Sequence, residues 1–452
     1  MQKQSSYESF NKWMKNSITL KLIIIGFLIL ILLIPSKMIE SLIQERESTR
    51  DSAIVEVGSK WGKMQTIAGP VLTVPYKDFT KSEDDKTIEK INFAHFLPEE
   101  LDITGKIRPE NLNRGIYEII VYNSELKLEG SFSPPNFKEL NIGENDLIWE
   151  DAFLTIGIPD MRGIKEKIEL NWDEKRFLFS PGLESRDIIQ SGVSVNVPID
   201  TVNINNKNYT FSFNININGS EELNFIPLGK ETNVTINSPW NNPGFDGAFL
   251  PDKREITDDG FNAEWKILHL NRTYPQQWKG DSYNIDESKF GVKLLFPVNE
   301  YQKIMRSSKY SILFIFLTFL VFFFVEVINK KRIHPLKYLL VGLGLTIFYT
   351  LLLSLTEHLN FNYAYLIASV SIILLITFYS KNFLVSKLLT VLMGVILTAL
   401  YLFLYSLLQL QDYALLMGSI GLFIVLAIVM YFSRKIDYSD SVALGKEEEE
   451  KQ

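Results

Sequence analysis

The chain has 452 residues, 46% of them hydrophobic, with 46 Lys and Arg against 53 Asp and Glu, a formal net charge of −7 and no cysteine. An acidic balance without a basic stripe in the middle region gives no sign of a nucleic-acid surface. The lack of cysteine excludes disulfides, cysteine nucleophiles and thiolate metal sites. Apolar residues form one run near the N-terminus and most of the C-terminal third, with a long polar middle between them, which is the composition of a membrane protein carrying one large soluble domain.

Six segments have the length and apolarity to cross a bilayer: 18–34, 310–328, 338–355, 363–379, 388–408 and 413–432. Tyr310, Tyr338, Tyr363, Tyr379, Tyr413 and Tyr431 stand at their ends, where amphipathic rings suit headgroup depth. The short segments 1–17, 329–337, 380–387 and 433–452 carry 3, 4, 2 and 4 Lys/Arg, whereas 356–362 and 409–412 carry none. Positive-inside charge bias therefore predicts that both termini, including the acidic tail 433–452, are cytoplasmic and that 35–309 lies outside the cytoplasm. The stretch "IPSKMIE" after the first span lacks the small residues of a cleavage site, so an uncleaved anchor is expected.

Residues 37–65 read as a helix, with Ile54, Val57, Trp61 and Met64 at three- to four-residue spacing and Pro35 as a kink at its junction with the first span. From 69 to 300 the period changes to two. "YTFSFNINI" (209–217) puts Phe211, Phe213, Ile215 and Ile217 on one face of a half-buried strand, and Asn, Gly and Pro punctuate the runs. The expected fold is an integral membrane α+β protein: six transmembrane helices, one N-terminal and five in a C-terminal bundle (310–432), with a large extracytoplasmic antiparallel β-rich domain of sandwich type. "FLPEELDIT" (96–104) echoes "FLPDKREIT" (249–257). Two related modules meeting near 195 would explain the echo, and so would chance.

The histidines, His95, His269, His334 and His358, show no metal-ligand spacing, and no phosphate-binding or dinucleotide loop is present. No cofactor or metal is expected, and neither nucleotide nor nucleic acid is an expected partner. The lipid bilayer is one, together with an unidentified envelope partner or ligand. Ser419, in "MGSIGL" (417–422), raises an intramembrane serine nucleophile. Its Gly-Ser-x-Gly order differs from the usual Gly-x-Ser-Gly, and small residues that let helices approach are the favoured reading. Ionisable residues within spans are functional candidates by default. Lys21 can snorkel, and Glu326 adjoins "NKKR", a ready source of partners. Glu357, His358 and Asp412 fall at outer span ends and are the candidate functional residues of the outer membrane rim.

Three blocks resemble the bacterial inner-membrane CreD family: "LIQERESTRDSAIVEVGSKWGKMQTIAGPVLTVPY" (42–76), "FDGAFLPDKREITDDGFNAEWKILHLNRTYPQQW" (245–278) and "HPLKYLLVGLGLTIFYTLLLSLTEHLNF" (334–361). The resemblance implies a cytoplasmic-membrane protein associated with envelope integrity and, in well-known members, with a sensor-kinase/response-regulator pair, envelope stress and tolerance to some envelope-directed toxins. It carries over no reaction and no catalytic residue. The leading expectation is a non-enzymatic protein that senses, supports or scaffolds the envelope. The alternatives are a transporter or channel for an envelope component, and an enzyme at the outer boundary using Glu357 or His358.

Overall fold

The structure, a computed structural model, describes residues 18–81, 87–200, 207–294, 300–329, 333–384, 386–410 and 413–434. The chain forms two compact units, one of residues 50–297 and one of residues 1–49 with 298–452.

Helix α1, Ile18–Trp61, has 44 residues and contains Pro35. The segments expected as a span and a separate helix are thus one helix. At 1.5 Å per residue it is roughly 66 Å long, about twice the ~30 Å hydrocarbon core of a bilayer. It stops four residues short of the expected end because Gly62 adopts φ 146°, and a Cβ there would stand 2.5 Å from the Asn218 carbonyl oxygen. Only glycine fits that turn.

The helical unit continues with α2 (Glu300–Lys309), α3 (Ser311–Ile328), α4 (Pro335–Thr356), α5 (Phe361–Ser380), α6 (Lys387–Gln409) and α7 (Ala414–Ser433). Five helices, α1 and α3 to α6, are long and apolar enough to cross a membrane, one N-terminal and four C-terminal. The sixth expected span corresponds to α7, whose shorter apolar stretch is Leu415–Tyr431. The whole of α7, Ala414–Ser433, has 20 residues, as many as α5.

The core of this unit is packed with Leu32, Phe319, Phe322, Phe348, Leu352, Leu397 and Tyr401. Outward faces carry Leu374, Phe378, Leu388, Leu402 and Phe423, the apolar surface that contacts lipid. Gly342 on α4 admits α1: a Cβ there would overlap Leu32 Cδ1 and stand 3.0 Å from Phe319 Cζ. Gly421 does the same for α7, since a Cβ would overlap the Phe403 ring of α6. Ser419 donates back to the Leu416 carbonyl at 2.8 Å and is exposed. These are the marks of small residues at a helix–helix contact.

In the β unit, the end of α1 packs Ala53, Ile54, Val57 and Trp61 on Ile119 and Val121, with Trp61 Nε1 donating to the Tyr122 carbonyl at 3.2 Å. Met64, the fourth expected member of that stripe, is exposed beyond the helix end.

Two sheets make the domain. The nine-stranded one runs Pro243–Gly247, Phe290–Leu294, Glu222–Phe225, Gln65–Lys81, Phe153–Gly157, Gly192–Asn196 and Ser180–Pro181. Thr87–Phe96 is paired to Gln65–Lys81, and Gln277–Lys279 to Thr87–Phe96. The eight-stranded one runs Lys253–Thr257, Gly260–Leu268, Glu231–Ser238, Glu100–Arg114, Tyr117–Phe132, Tyr209–Ser220, Glu169–Trp172 and Lys175–Leu178.

Most pairings are antiparallel, as expected. However, Gln65–Lys81 pairs with Glu222–Phe225 in parallel, and so does Glu100–Arg114 with Glu231–Ser238. The sheets are therefore mixed rather than purely antiparallel. One continuous core takes Leu72, Leu154 and Phe290 from the first sheet and Ile103, Leu128, Phe213 and Trp265 from the second. The rings of Trp265 and Phe290 meet across it at 5.7 Å. This is the sandwich arrangement the alternating pattern requires.

Both sheets contain strands from either side of residue 195, and the strand Gly192–Asn196 runs through it. The two echoed segments lead into strands of the same sheet, Glu100–Arg114 inside it and Lys253–Thr257 at its edge.

Candidate functional site

The helical unit gathers polar groups at the ends where α4 stops, α5 begins and α6 stops. Glu357 is the residue that closes α4, and its carboxylate meets Arg46 of α1 at 3.6 Å. His358 bonds its backbone N–H to Leu355 and leaves its ring exposed. Adjacent in sequence, Glu357 and His358 have different surroundings: one is engaged with α1, the other is open. Asp412, the third candidate, lies outside the described residues.

Beside them is a network that sequence reasoning did not single out. Asn362 Oδ1 accepts from the Tyr405 hydroxyl at 3.1 Å and from Gln409 Nε2 at 3.0 Å. Gln409 Oε1 accepts from Lys303 Nζ at 3.2 Å. Glu300 caps the start of α5 by accepting the Phe361 N–H at 3.1 Å, the position where a carboxylate best offsets the helix dipole. Lys303 is 8% exposed. Burial first, then the like charge of Arg306, holds its ammonium below the ordinary lysine range, and Glu300 opposes this.

A second cluster involves Glu326, which is 5% exposed. Its partners are Lys21 at 3.1 Å and the Tyr338 hydroxyl, which donates at 3.0 Å. The ready partners in "NKKR" fall mostly outside the described residues, and the ammonium that meets Glu326 comes instead from α1. Both carboxylate oxygens are satisfied, as a buried charge requires.

The third cluster is in the β unit. His95 is 2% exposed, with Nδ1 3.0 Å from Thr73 Oγ1 and Nε2 3.2 Å from Asp187 Oδ2. An ionised Asp187 can only accept, so His95 Nε2 carries the proton it donates to Asp187, and Nδ1 pairs with the Thr73 hydroxyl. The hydrogen bond from His95 holds the Asp187 carboxyl below its usual range, against burial, which raises it.

Hydroxyl, imidazole and carboxylate in line resemble a nucleophile relay. Yet Thr73 sits inside a strand, and the adjoining cavity of about 10 Å³ has room for about one water. The arrangement anchors the 182–191 segment to the sheet. His334 is also structural: its Nδ1 accepts the Leu336 N–H at 3.2 Å and caps α4. Among the described residues no group of His, Asp or Glu is arranged to hold a metal.

Arg272, within the second sequence block, is buried and stacks 4.3 Å from the Tyr274 ring centroid. It donates to the carbonyls of Tyr274, Pro275 and Leu228 and to the Gln276 side chain. Burial pushes its guanidinium down to about 10. Its work is to hold a loop.

Apolar spans around a packed core, with a two-sheet domain inserted after the first helix, define a multi-pass membrane protein bearing one large β-rich domain. The family model described as "Inner membrane protein CreD" matches residues 17–439. The inner membrane protein CreD of Escherichia coli (strain K12) is 33% identical over 417 residues, covering 91% of either chain. The chain belongs to the CreD family and is a multi-pass inner-membrane protein.

Proposed function

We propose that this protein supports the integrity of the cell envelope without performing a reaction, through a β-domain held outside the cytoplasm, with both termini inside. The asymmetry of Lys and Arg among the short connecting segments supports that orientation. The observation that carries the non-enzymatic reading is how the bundle uses its ionisable groups. Lys21 with Glu326 and Arg46 with Glu357 each join α1 to another helix, so the carboxylates best placed for chemistry are engaged in holding helices together. A transport path is disfavoured by a core filled with Phe319, Phe322, Phe348 and Tyr401.

The test is complementation of a strain lacking the gene. A chain carrying Glu357→Gln and His358→Ala is expected to restore resistance to envelope stress in full, and a chain lacking residues 65–294 is not. Failure of the Glu357→Gln, His358→Ala chain at normal membrane levels would overturn the non-enzymatic reading in favour of an enzyme at the membrane boundary.

A further inference from the structure

Helix α2 ends one residue before span α3 begins at Ser311, and it carries Lys303, Arg306 and Lys309 at three-residue steps. Residues three apart are neighbours on a helix surface, so the cations form a row that winds from buried Lys303 through half-buried Arg306 to exposed Lys309 beside the start of the span. The direct hydrogen-bond and ring partners of Lys303 are neutral, Gln409 Oε1 at 3.2 Å and the Phe361 ring, whose centroid is 5.2 Å away, while the Glu300 carboxylate attracts its ammonium without forming an ion pair. Among the described residues, no carboxylate forms an ion pair with any of the three, although ion pairs are frequent elsewhere in the chain. Glu300, the nearby carboxylate, accepts the Phe361 N–H.

Lys303 and Arg306 are close enough that the like charge of one bears on the ammonium of the other. Glu300 offsets burial and the repulsion from Arg306 only in part, so a further anion between or over the two cations, one of them nine-tenths buried, is favoured. Ser307, one turn beyond Lys303, is fully buried, and its hydroxyl has no hydrogen-bond partner among the described residues.

We propose that the Lys303–Arg306–Lys309 face of α2 is a binding site for a phosphate group at the membrane boundary. Arginine grips phosphate oxygens with a two-pronged fork and lysine adds a compact point charge. Clustered cations next to a span are the pattern that attracts anionic headgroups. Phosphate oxygens arrive here either on an anionic phospholipid or as a free ion, and the two sources are separable by experiment.

The full-length protein in uncharged detergent is unfolded thermally against increasing short-chain phosphatidylglycerol, phosphatidylcholine of the same chain length, or inorganic phosphate. Phosphatidylglycerol is expected to raise Tm saturably and phosphatidylcholine is not. In Lys303→Gln/Arg306→Gln the apparent affinity falls about thirtyfold, while Lys381→Gln, an exposed cation elsewhere, binds as the parent does. Should the double variant lose its fold, Arg306→Gln alone is titrated, with a loss of about fivefold expected. A shift with inorganic phosphate at comparable concentration assigns the site to the free ion; a shift with phosphatidylglycerol alone assigns it to the lipid. An unresponsive parent, an equal response to phosphatidylcholine, or variants that respond like the parent would each overturn the proposal.

Discussion

Lys21 on α1 and Glu326 on α3 close a 3.1 Å ion pair, and the second carboxylate oxygen takes the Tyr338 hydroxyl at 3.0 Å. Further along α1, Arg46 meets Glu357 at 3.6 Å. On a helix rising 1.5 Å per residue the two cations are roughly 38 Å apart, a little more than the ~30 Å hydrocarbon core. The N-terminal helix is therefore pinned to the others at two levels that bracket a membrane thickness, with Leu32 seated against Gly342 between them.

Removing one partner of the Lys21–Glu326 pair leaves the other uncompensated. Glu326→Gln or Lys21→Met is expected to destabilise the detergent-solubilised protein by about 2–4 kcal/mol, the lower end belonging to Lys21, whose side chain is a quarter exposed. The double change Lys21→Met/Glu326→Leu recovers much of the loss, because neither charge is then stranded. Denaturant unfolding of the four proteins measures the coupling. Strictly additive losses would show that the pair does not hold α1.

Gly342 is small so that α1 can approach. Gly342→Ala forces Leu32, which is fully buried, to move, and overpacking of this kind costs about 1–3 kcal/mol. Leu32→Ala, harmful by itself, is expected to lose less in the Gly342→Ala background than in the parent. The same unfolding assay reads this non-additivity, and its absence would place the α1–α4 contact elsewhere.

Asp187 couples the β-domain to pH. Its folded carboxyl titrates below the unfolded value of about 3.9 because His95 donates to it. A depressed folded value stabilises the fold above the unfolded pKa, and that contribution drains away as pH falls through the folded value. Asp187→Asn is expected to cost about 1–2 kcal/mol at pH 7. The gap between variant and parent should narrow in strong acid. Tm measured across pH tests it, and a gap that widens on acidification would reverse the sign.

Periodicity made the β-domain legible. Phe211, Phe213, Ile215 and Ile217 alternate along one strand, and all four are buried. Apolar length made the spans legible in the same way. The parallel pairing of Glu100–Arg114 with Glu231–Ser238 left no local trace, since it joins segments far apart in sequence and each strand alternates the same way whichever direction its neighbour runs. The clusters were hidden for a similar reason. The pairing of His95 with Asp187 and of Lys21 with Glu326 is made by tertiary packing, and no spacing rule connects those residues. Glu357 and His358 stood out because they adjoin each other, yet the fold gives them different surroundings: Glu357 meets Arg46, and the His358 ring is left exposed.

An envelope-facing role requires the β-domain to lie outside the cytoplasm, and the chain's lack of cysteine makes that directly measurable. Leu270→Cys places a lone thiol on the β-domain at a position 79% exposed. Asn382→Cys places one on the exposed turn between α5 and α6. Intact cells are treated with a thiol reagent that passes the outer membrane but not the inner. The cysteine at 270 is expected to react at once, and the cysteine at 382 only after the inner membrane is permeabilised. Labelling at 382 with protection at 270 would contradict the orientation and, with it, the envelope-facing role.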